Sequence, residues 1–179
     1  MVSLVIGGAR SGKSRFALSL AANARKVAYI ATARLEDAEM VDRIARHRAE
    51  RPDHWETVEA PLEIGSAVER LAEDYDFILL DCLTIWLSNF SWERREASQS
   101  DLAADALGEV ARATAGAGNS HLVLVTNEVG CGLVPESPVG RLFRDVHGWV
   151  NQDAARAADW VYHVVAGIAV PIKRPEQRS

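Results

Sequence analysis

The sequence predicts an α/β domain whose mainly parallel sheet is covered by helices on both faces. Three observations carry that reading. Short apolar runs alternate with longer amphipathic ones, the pattern of strands joined by crossover helices. A glycine-rich loop joins the first apolar run to the first helical one. No repeat and no Pro/Gly-rich linker divides the 179 residues, a length that suits a single domain over 1–179.

The elements follow in order. Val2–Ile6 is a strand-like run and Lys13–Ala24 reads as a helix. Val27–Ala31 is a second strand. Glu36–Arg51 is helical, with Met40, Ile44 and His47 at three- and four-residue spacings. Trp55–Val58 is a weaker strand signal, and Leu62–Glu73 is helical. Phe77–Leu80 is an apolar strand bounded by Asp76 and Asp81. Ser91–Ser100 is the most polar stretch and reads as a loop or a helix start. Leu102–Ala115 is an Ala-rich helix that stops near Gly116 and Gly118. His121–Thr126 is a strand and Arg141–Ala158 a helix. Trp160–Val165 and Ala169–Ile172, with Gly167 between, read as a closing hairpin, followed by a solvated tail from Lys173 to Ser179.

Composition narrows the partners. Hydrophobic residues make up 48% of the chain and charged ones 25%, which argues against disorder. Asp and Glu number 25 against 20 Lys and Arg, for a net charge of -5. General nucleic-acid or anionic-membrane binding needs a basic footprint and is not expected. Cys82 and Cys131 make no disulfide framework, and no targeting or membrane-spanning segment is visible, so the expected compartment is the cytoplasm.

The loop itself carries chemistry. Gly7-Gly8-Ala9-Arg10-Ser11-Gly12-Lys13-Ser14 fits G-x-x-x-x-G-K-[ST] between a strand and a helix. The glycines let the backbone close around phosphate oxygens, and successive N–H groups point at the anion. Lys13 is expected on the β- and γ-phosphates, and the Ser14 hydroxyl on Mg²⁺. A second acidic metal partner is expected after an apolar strand, and Asp81 occupies that place; a strand-end cap is its other reading.

A second basic cluster lies at Arg43, Arg46, Arg48 and Arg51. Arg43 precedes His47 by one helical turn and Arg51 follows it by one, so all three share a face. Guanidinium forks suit phosphate, and positive neighbours favour the neutral imidazole that a nucleophile needs. The residues equally allow a solvated face whose arginines pair with Glu39 and Glu50. His54 reads as a turn residue, His121 and His163 as core or edge strand residues, and His147 as helical. No spacing resembles a zinc site. Glu128 follows a strand end, where it either orients a substrate hydroxyl or caps a turn.

Several motifs occur together. GGARSGKS at 7–14 is followed by Tyr29-Ile30-Ala31-Thr32-Ala33, then by Arg43-Ile44 with His47-Arg48, Arg51-Pro52 and Trp55. Leu80-Asp81-Cys82-Leu83-Thr84 comes next, then Val125-Thr126-Asn127-Glu128-Val129-Gly130, Phe143-Arg144-Asp145 and Val150-Asn151-Gln152. The set covers nearly the whole chain. It resembles the bifunctional adenosylcobinamide kinase/adenosylcobinamide-phosphate guanylyltransferase family of cobalamin biosynthesis.

The resemblance implies a P-loop NTPase fold of the RecA-like kind with antiparallel C-terminal strands, and a homotrimer. It implies transfer of the γ-phosphate of GTP or ATP to the aminopropanol hydroxyl of adenosylcobinamide. It then implies transfer of GMP from GTP to that phosphate, through a covalent guanylyl-histidine, giving adenosylcobinamide-GDP and pyrophosphate. His47 matches the nucleophile. The nucleotide contacts map onto Gly7, Gly8, Ala9, Arg10, Ser11, Gly12, Lys13 and Ser14, onto Thr32, Ala33 and Arg34, and onto Arg48, Ala49, Glu50 and Arg51, with Glu59 and Asp81 as further contacts. Two alternatives stand beside this reading. One is a P-loop small-molecule kinase without guanylyl transfer. The other is a GTP-dependent switch, weakened by the lack of an Asn/Thr-Lys-x-Asp guanine-reading motif.

Overall fold

A computed structural model describes residues 1–34, 48 and 51–175. Among these, seven strands form one sheet: β1 (Val2–Ile6), β2 (Val27–Ala31), β3 (Glu56–Glu59), β4 (Phe77–Asp81), β5 (His121–Thr126), β6 (Trp160–Val165) and β7 (Ile168–Lys173). They lie side by side in the order β3-β2-β4-β5-β1-β6-β7. All neighbours pair in parallel except β6 and β7, which form the antiparallel hairpin expected at the C-terminus. Ala166 and Gly167 join them, both at positive φ. Two left-handed residues are what the twist of a two-residue hairpin loop requires.

Five helices complete the described part: α1 (Lys13–Ser19), α2 (Ile64–Leu71), α3 (Leu83–Glu93), α4 (Gln99–Gly116) and α5 (Pro138–Ala157). They divide between the faces of the sheet. On one face Val5, Tyr29, Leu79, Val123 and Val125 pack with Ala17 and Ala21 from α1 and the turn after it. On the other, Leu4, Ile30, Ile78, Leu80, Leu122 and Leu124 pack with α2–α5 through Ile64, Val68, Trp86, Val110, Val146 and Val150. Burying such strands on both faces removes the polar alternation an exposed sheet would show. No described helix is long and apolar enough to cross a membrane.

Several boundaries differ from the sequence expectation. Helix α1 stops at Ser19, and the residues to Ala24 form turns in which Leu20, Ala21 and Ala22 donate to carbonyls three residues back. Helix α3 has no counterpart in the sequence reading. It is apolar on most sides, with Leu83, Trp86, Leu87 and Phe90 buried, so it shows little amphipathic period. It takes up the first part of the polar stretch Ser91–Ser100. Helix α4 takes up the last part, because the Ser98 hydroxyl caps its N-terminus by accepting from the Asp101 N–H at 3.2 Å. Helix α5 likewise begins before Arg141, at Pro138, capped by Ser137, which accepts from the Gly140 N–H at 3.1 Å. Lys173 ends β7 rather than opening a tail; its ammonium donates to the carbonyls of Ala155 and Arg156, both at 2.9 Å, at the C-terminus of α5.

The register decides where the site lies. Ala31 pairs with Glu59 and with Asp81, Asp81 pairs with Val125, and Ile6 pairs with both Thr126 and His163. The carboxyl ends of six parallel strands therefore form one row. This is the edge at which open α/β sheets hold ligands.

Candidate active site

The loop after β1 sits in the middle of that row. Gly12 at φ 95° and Arg10 at φ 55° turn the chain tightly into α1. Gly7 is a position where only hydrogen fits. A Cβ there would stand 2.4 Å from the Val164 carbonyl oxygen on β6 and 2.7 Å from Ser11 Oγ. Ser11 is held from the same side, its carbonyl accepting from the Gly167 N–H at 2.8 Å. The β6–β7 hairpin is thus one wall of the loop. The Ser11 hydroxyl is buried with no hydrogen-bond partner among the described residues. Lys13 is largely buried and donates to the Gly8 carbonyl at 3.1 Å, which fixes its ammonium over the loop.

Asp81 ends β4, with β5 between it and the loop strand. Its Oδ2 accepts from the Tyr29 hydroxyl at 3.0 Å. Burial, reinforced by the Asp81 charge, pushes the Tyr29 phenol far above its ordinary range, so it stays a donor. The Arg51 guanidinium stacks on the Tyr29 ring, 3.7 Å from its centroid, and donates to Thr57 Oγ1 at 3.1 Å. Arg51, Tyr29 and Asp81 therefore form one connected stack from the arginine segment to the carboxylate at the end of β4. Arg48 is helical and exposed, and His47, Ala49 and Glu50 lie outside the described residues.

The remaining sequence candidates fall on the same edge with different duties. Thr32 is buried; its hydroxyl donates to the Cys82 carbonyl and accepts from the Cys82 N–H, both at 2.9 Å. Its carbonyl accepts from Asn89 Nδ2 at 2.8 Å. Its polar atoms thus hold the Asp81–Cys82 backbone. Arg34 pairs with Glu93 at 2.9 Å, and Glu59 is exposed at the end of β3.

A polar network behind this edge has no counterpart in the sequence reading of single residues. His147 on α5 is buried, and desolvation lowers its imidazole from 6.5 to about 4, so it is neutral. Asn151 Nδ2 donates to His147 Nδ1 at 3.3 Å, which leaves the proton on Nε2. Nε2 then faces Thr84 Oγ1 at 3.0 Å and Thr126 Oγ1 at 3.3 Å. Thr126 donates to Asn151 Oδ1 at 2.7 Å, Asn151 Nδ2 donates to the Asn127 carbonyl at 2.9 Å, and the Asn127 N–H donates to Thr84 at 3.0 Å. Three motifs far apart in sequence, around Thr84, Thr126-Asn127 and Asn151, meet in this network. Its sequence signal was their co-occurrence, not any spacing.

Glu128 does not use its side chain as a cap. Its Oε2 meets His163 Nε2 on β6 at 2.8 Å, which gives His163 a partner at the site rather than a place in the core. The tryptophans divide: Trp86 is core, Trp160 stacks on Tyr162 at 5.6 Å, and Trp92 and Trp149 are exposed.

Known proteins align with this arrangement over nearly the whole chain. The family model described as "Cobinamide kinase / cobinamide phosphate guanyltransferase" matches residues 3–172. The bifunctional adenosylcobalamin biosynthesis protein CobP of Pseudomonas aeruginosa is 41% identical over 177 residues, covering 97% of this chain and 98% of that protein. The bifunctional adenosylcobalamin biosynthesis protein CobU of Salmonella typhimurium is 41% identical over 181 residues, 97% of this chain and 100% of its own. CobU of Escherichia coli matches at 41% over 184 residues with the same coverage. A P-loop fold, an acidic strand end on the same sheet edge as the glycine-rich loop, and 41% identity over 97% of the chain agree: the chain belongs to the cobinamide kinase/cobinamide phosphate guanyltransferase family.

Proposed function

We propose that one domain performs both reactions. It phosphorylates adenosylcobinamide with GTP or ATP, then transfers GMP from GTP to the new phosphate through a guanylyl group on His47. The observation that carries this reading is the Arg51–Tyr29–Asp81 stack, with its 3.7 Å and 3.0 Å contacts. It ties the chain four residues past His47 to the phosphate edge, so one nucleotide site serves both chemistries.

In the kinase step the loop N–H groups and Lys13 take up the charge on the transferred phosphoryl group. In the transfer step a His47 ring nitrogen attacks the α-phosphorus, the bond to the bridging oxygen breaks, and pyrophosphate leaves. An oxygen of the substrate phosphate then attacks the same phosphorus. The N–P bond breaks, giving adenosylcobinamide-GDP and free His47. Arg48 and Arg51 hold phosphate oxygens during both attacks. Gly7–Ser14, Ala33, Arg34, Ala49, Glu50 and Glu59 complete the nucleotide site, with Thr32 holding the strand end beneath it.

Ser14 and Asp81 fit Mg²⁺: both offer hard oxygen donors, and Mg²⁺ on a nucleotide needs only one or two protein ligands beside phosphates and water. When bound, it neutralises charge on the phosphate oxygens. The assembly proposed is a homotrimer in the cytoplasm, checked by light scattering of the purified protein.

The decisive experiment supplies GTP labelled at the α-phosphate. Wild type is expected to retain acid-labile label and His47→Ala none. Product of the mass of adenosylcobinamide-GDP is expected when adenosylcobinamide is added. Phosphorylated product without any retained label supports a kinase alone. Neither product refutes the assignment.

A further inference from the structure

We propose that Glu128, oriented by His163, takes the proton from the substrate hydroxyl in the kinase step. The inference rests on the kinase reading above and adds a residue pair to it.

Placement is the first argument. Thr126 and His163 both pair with Ile6, the residue that leads into Gly7. Adjacent strands lie about 4.8 Å apart, so β5 and β6 stand roughly 10 Å apart with β1 between them. The chain beyond Thr126 and the Glu128 side chain together bring its carboxylate to His163 at 2.8 Å. The pair therefore lies across the mouth of the phosphate loop, on the carboxyl edge of the sheet.

Rigidity is the second. On the β5 side, Asn127 is held at its N–H by Thr84 and at its carbonyl by Asn151. On the β6 side, Val164 abuts Gly7 and Gly167 donates to Ser11. One end of the bridge is anchored to the phosphate loop through β6, and the other to the Thr84–Asn151 network, the support a reacting group needs.

Chemistry is the third. The two side chains are 29% and 35% exposed, Glu128 and His163 respectively. A pair so open to solvent contributes little to folding. It also joins strands that β1 already holds in register. His163 occupies Oε2 and leaves Oε1 for another donor. Asp81, by contrast, already accepts from Tyr29 and is the carboxylate proposed above for Mg²⁺.

The hydroxyl oxygen of adenosylcobinamide attacks the γ-phosphorus, and a new O–P bond forms. The bond from that phosphorus to the β,γ-bridging oxygen breaks, and the nucleoside diphosphate leaves with the electron pair. The hydroxyl proton passes to Glu128 Oε1 and later to water. His163 is a positioning residue, donating from Nε2 to Oε2 throughout. Guanylyl transfer makes no such demand, since its nucleophiles are an imidazole and an already ionised phosphate.

The test uses the full chain, with adenosylcobinamide phosphorylation, label retention from α-labelled GTP, and GMP transfer to pre-formed adenosylcobinamide phosphate measured in parallel. Glu128→Gln keeps the size and is expected to lower kinase kcat by about 10²–10⁴-fold, the usual worth of a positioned base. Label retention and GMP transfer are expected to continue. His163→Gln is expected to lower kinase kcat with an unchanged KM for nucleotide. Equal loss of all three activities in Glu128→Gln makes the pair a structural brace and overturns the inference. Wild-type phosphorylation by Glu128→Gln overturns it too, and leaves the kinase assignment standing. A wild-type protein that forms no adenosylcobinamide phosphate overturns both.

Discussion

Replacing Gly7 with alanine tests how closely the phosphate loop is built against the sheet. The added methyl would lie 2.4 Å from the Val164 carbonyl oxygen and 2.7 Å from Ser11 Oγ. An ordinary carbon–oxygen contact is about 3.3–3.6 Å, so roughly 1 Å of displacement is needed. The Ser11 hydroxyl can rotate away. The Val164 carbonyl cannot, because β6 is in register with β1 and its turn is bonded to Ser11. Overpacking of this kind costs about 1–3 kcal/mol. For a chain of this size each kcal/mol lowers the melting temperature by about 2–4 °C, so a fall of about 2–12 °C is expected. The assay is thermal unfolding by circular dichroism, with Gly8→Ala as the control for folding. A Cβ at Gly8 meets nothing within 4 Å, so that variant should melt with wild type. If Gly7→Ala melts within about 1 °C of wild type, the contact with β6 does not constrain the loop.

Two further outcomes follow from the site. His147 has its folded pKa depressed by burial to about 4, from 6.5. Its contribution is fully present above 6.5 and is lost as pH falls from there toward 4, because the unfolded chain takes up the proton first. At pH 5 the loss is about 2 kcal/mol, so urea unfolding of wild type should weaken between pH 7 and 5 more steeply than that of His147→Gln. An equal slope in the two proteins would contradict a neutral buried His147. Ser14→Ala should raise the Mg²⁺ concentration needed for GTP binding by at least the ~10-fold that losing an outer-shell partner causes. Calorimetric titration at several Mg²⁺ concentrations checks this, and an unchanged requirement removes Ser14 as a ligand.

Much of the architecture was legible in the residues. Short apolar runs located β1, β2, β4 and β5, and Gly167 located the final hairpin. Helix α3 was not legible, because a helix buried by Leu83, Trp86, Leu87 and Phe90 has no polar face to mark its period. The starts of α4 and α5 were missed for a local reason. Ser98 and Ser137 are caps, and a capping serine is read only once the chain is seen to turn at it.

The sequence by itself determined the phosphate loop, the acidic strand end and the family, because each is written in adjacent residues. Only the tertiary structure decided which distant residues share the site. Glu128 and His163 are 35 residues apart and read separately, Glu128 as a residue that either orients a substrate hydroxyl or caps a turn and His163 as a core or edge strand residue. They meet because β5 and β6 both pair with β1, on either side of the loop strand. The stack of Arg51 on Tyr29 on Asp81 arises in the same way, from β2 lying between β3 and β4. Local order writes a motif, whereas strand order, set by burial of both faces of one sheet, chooses its neighbours.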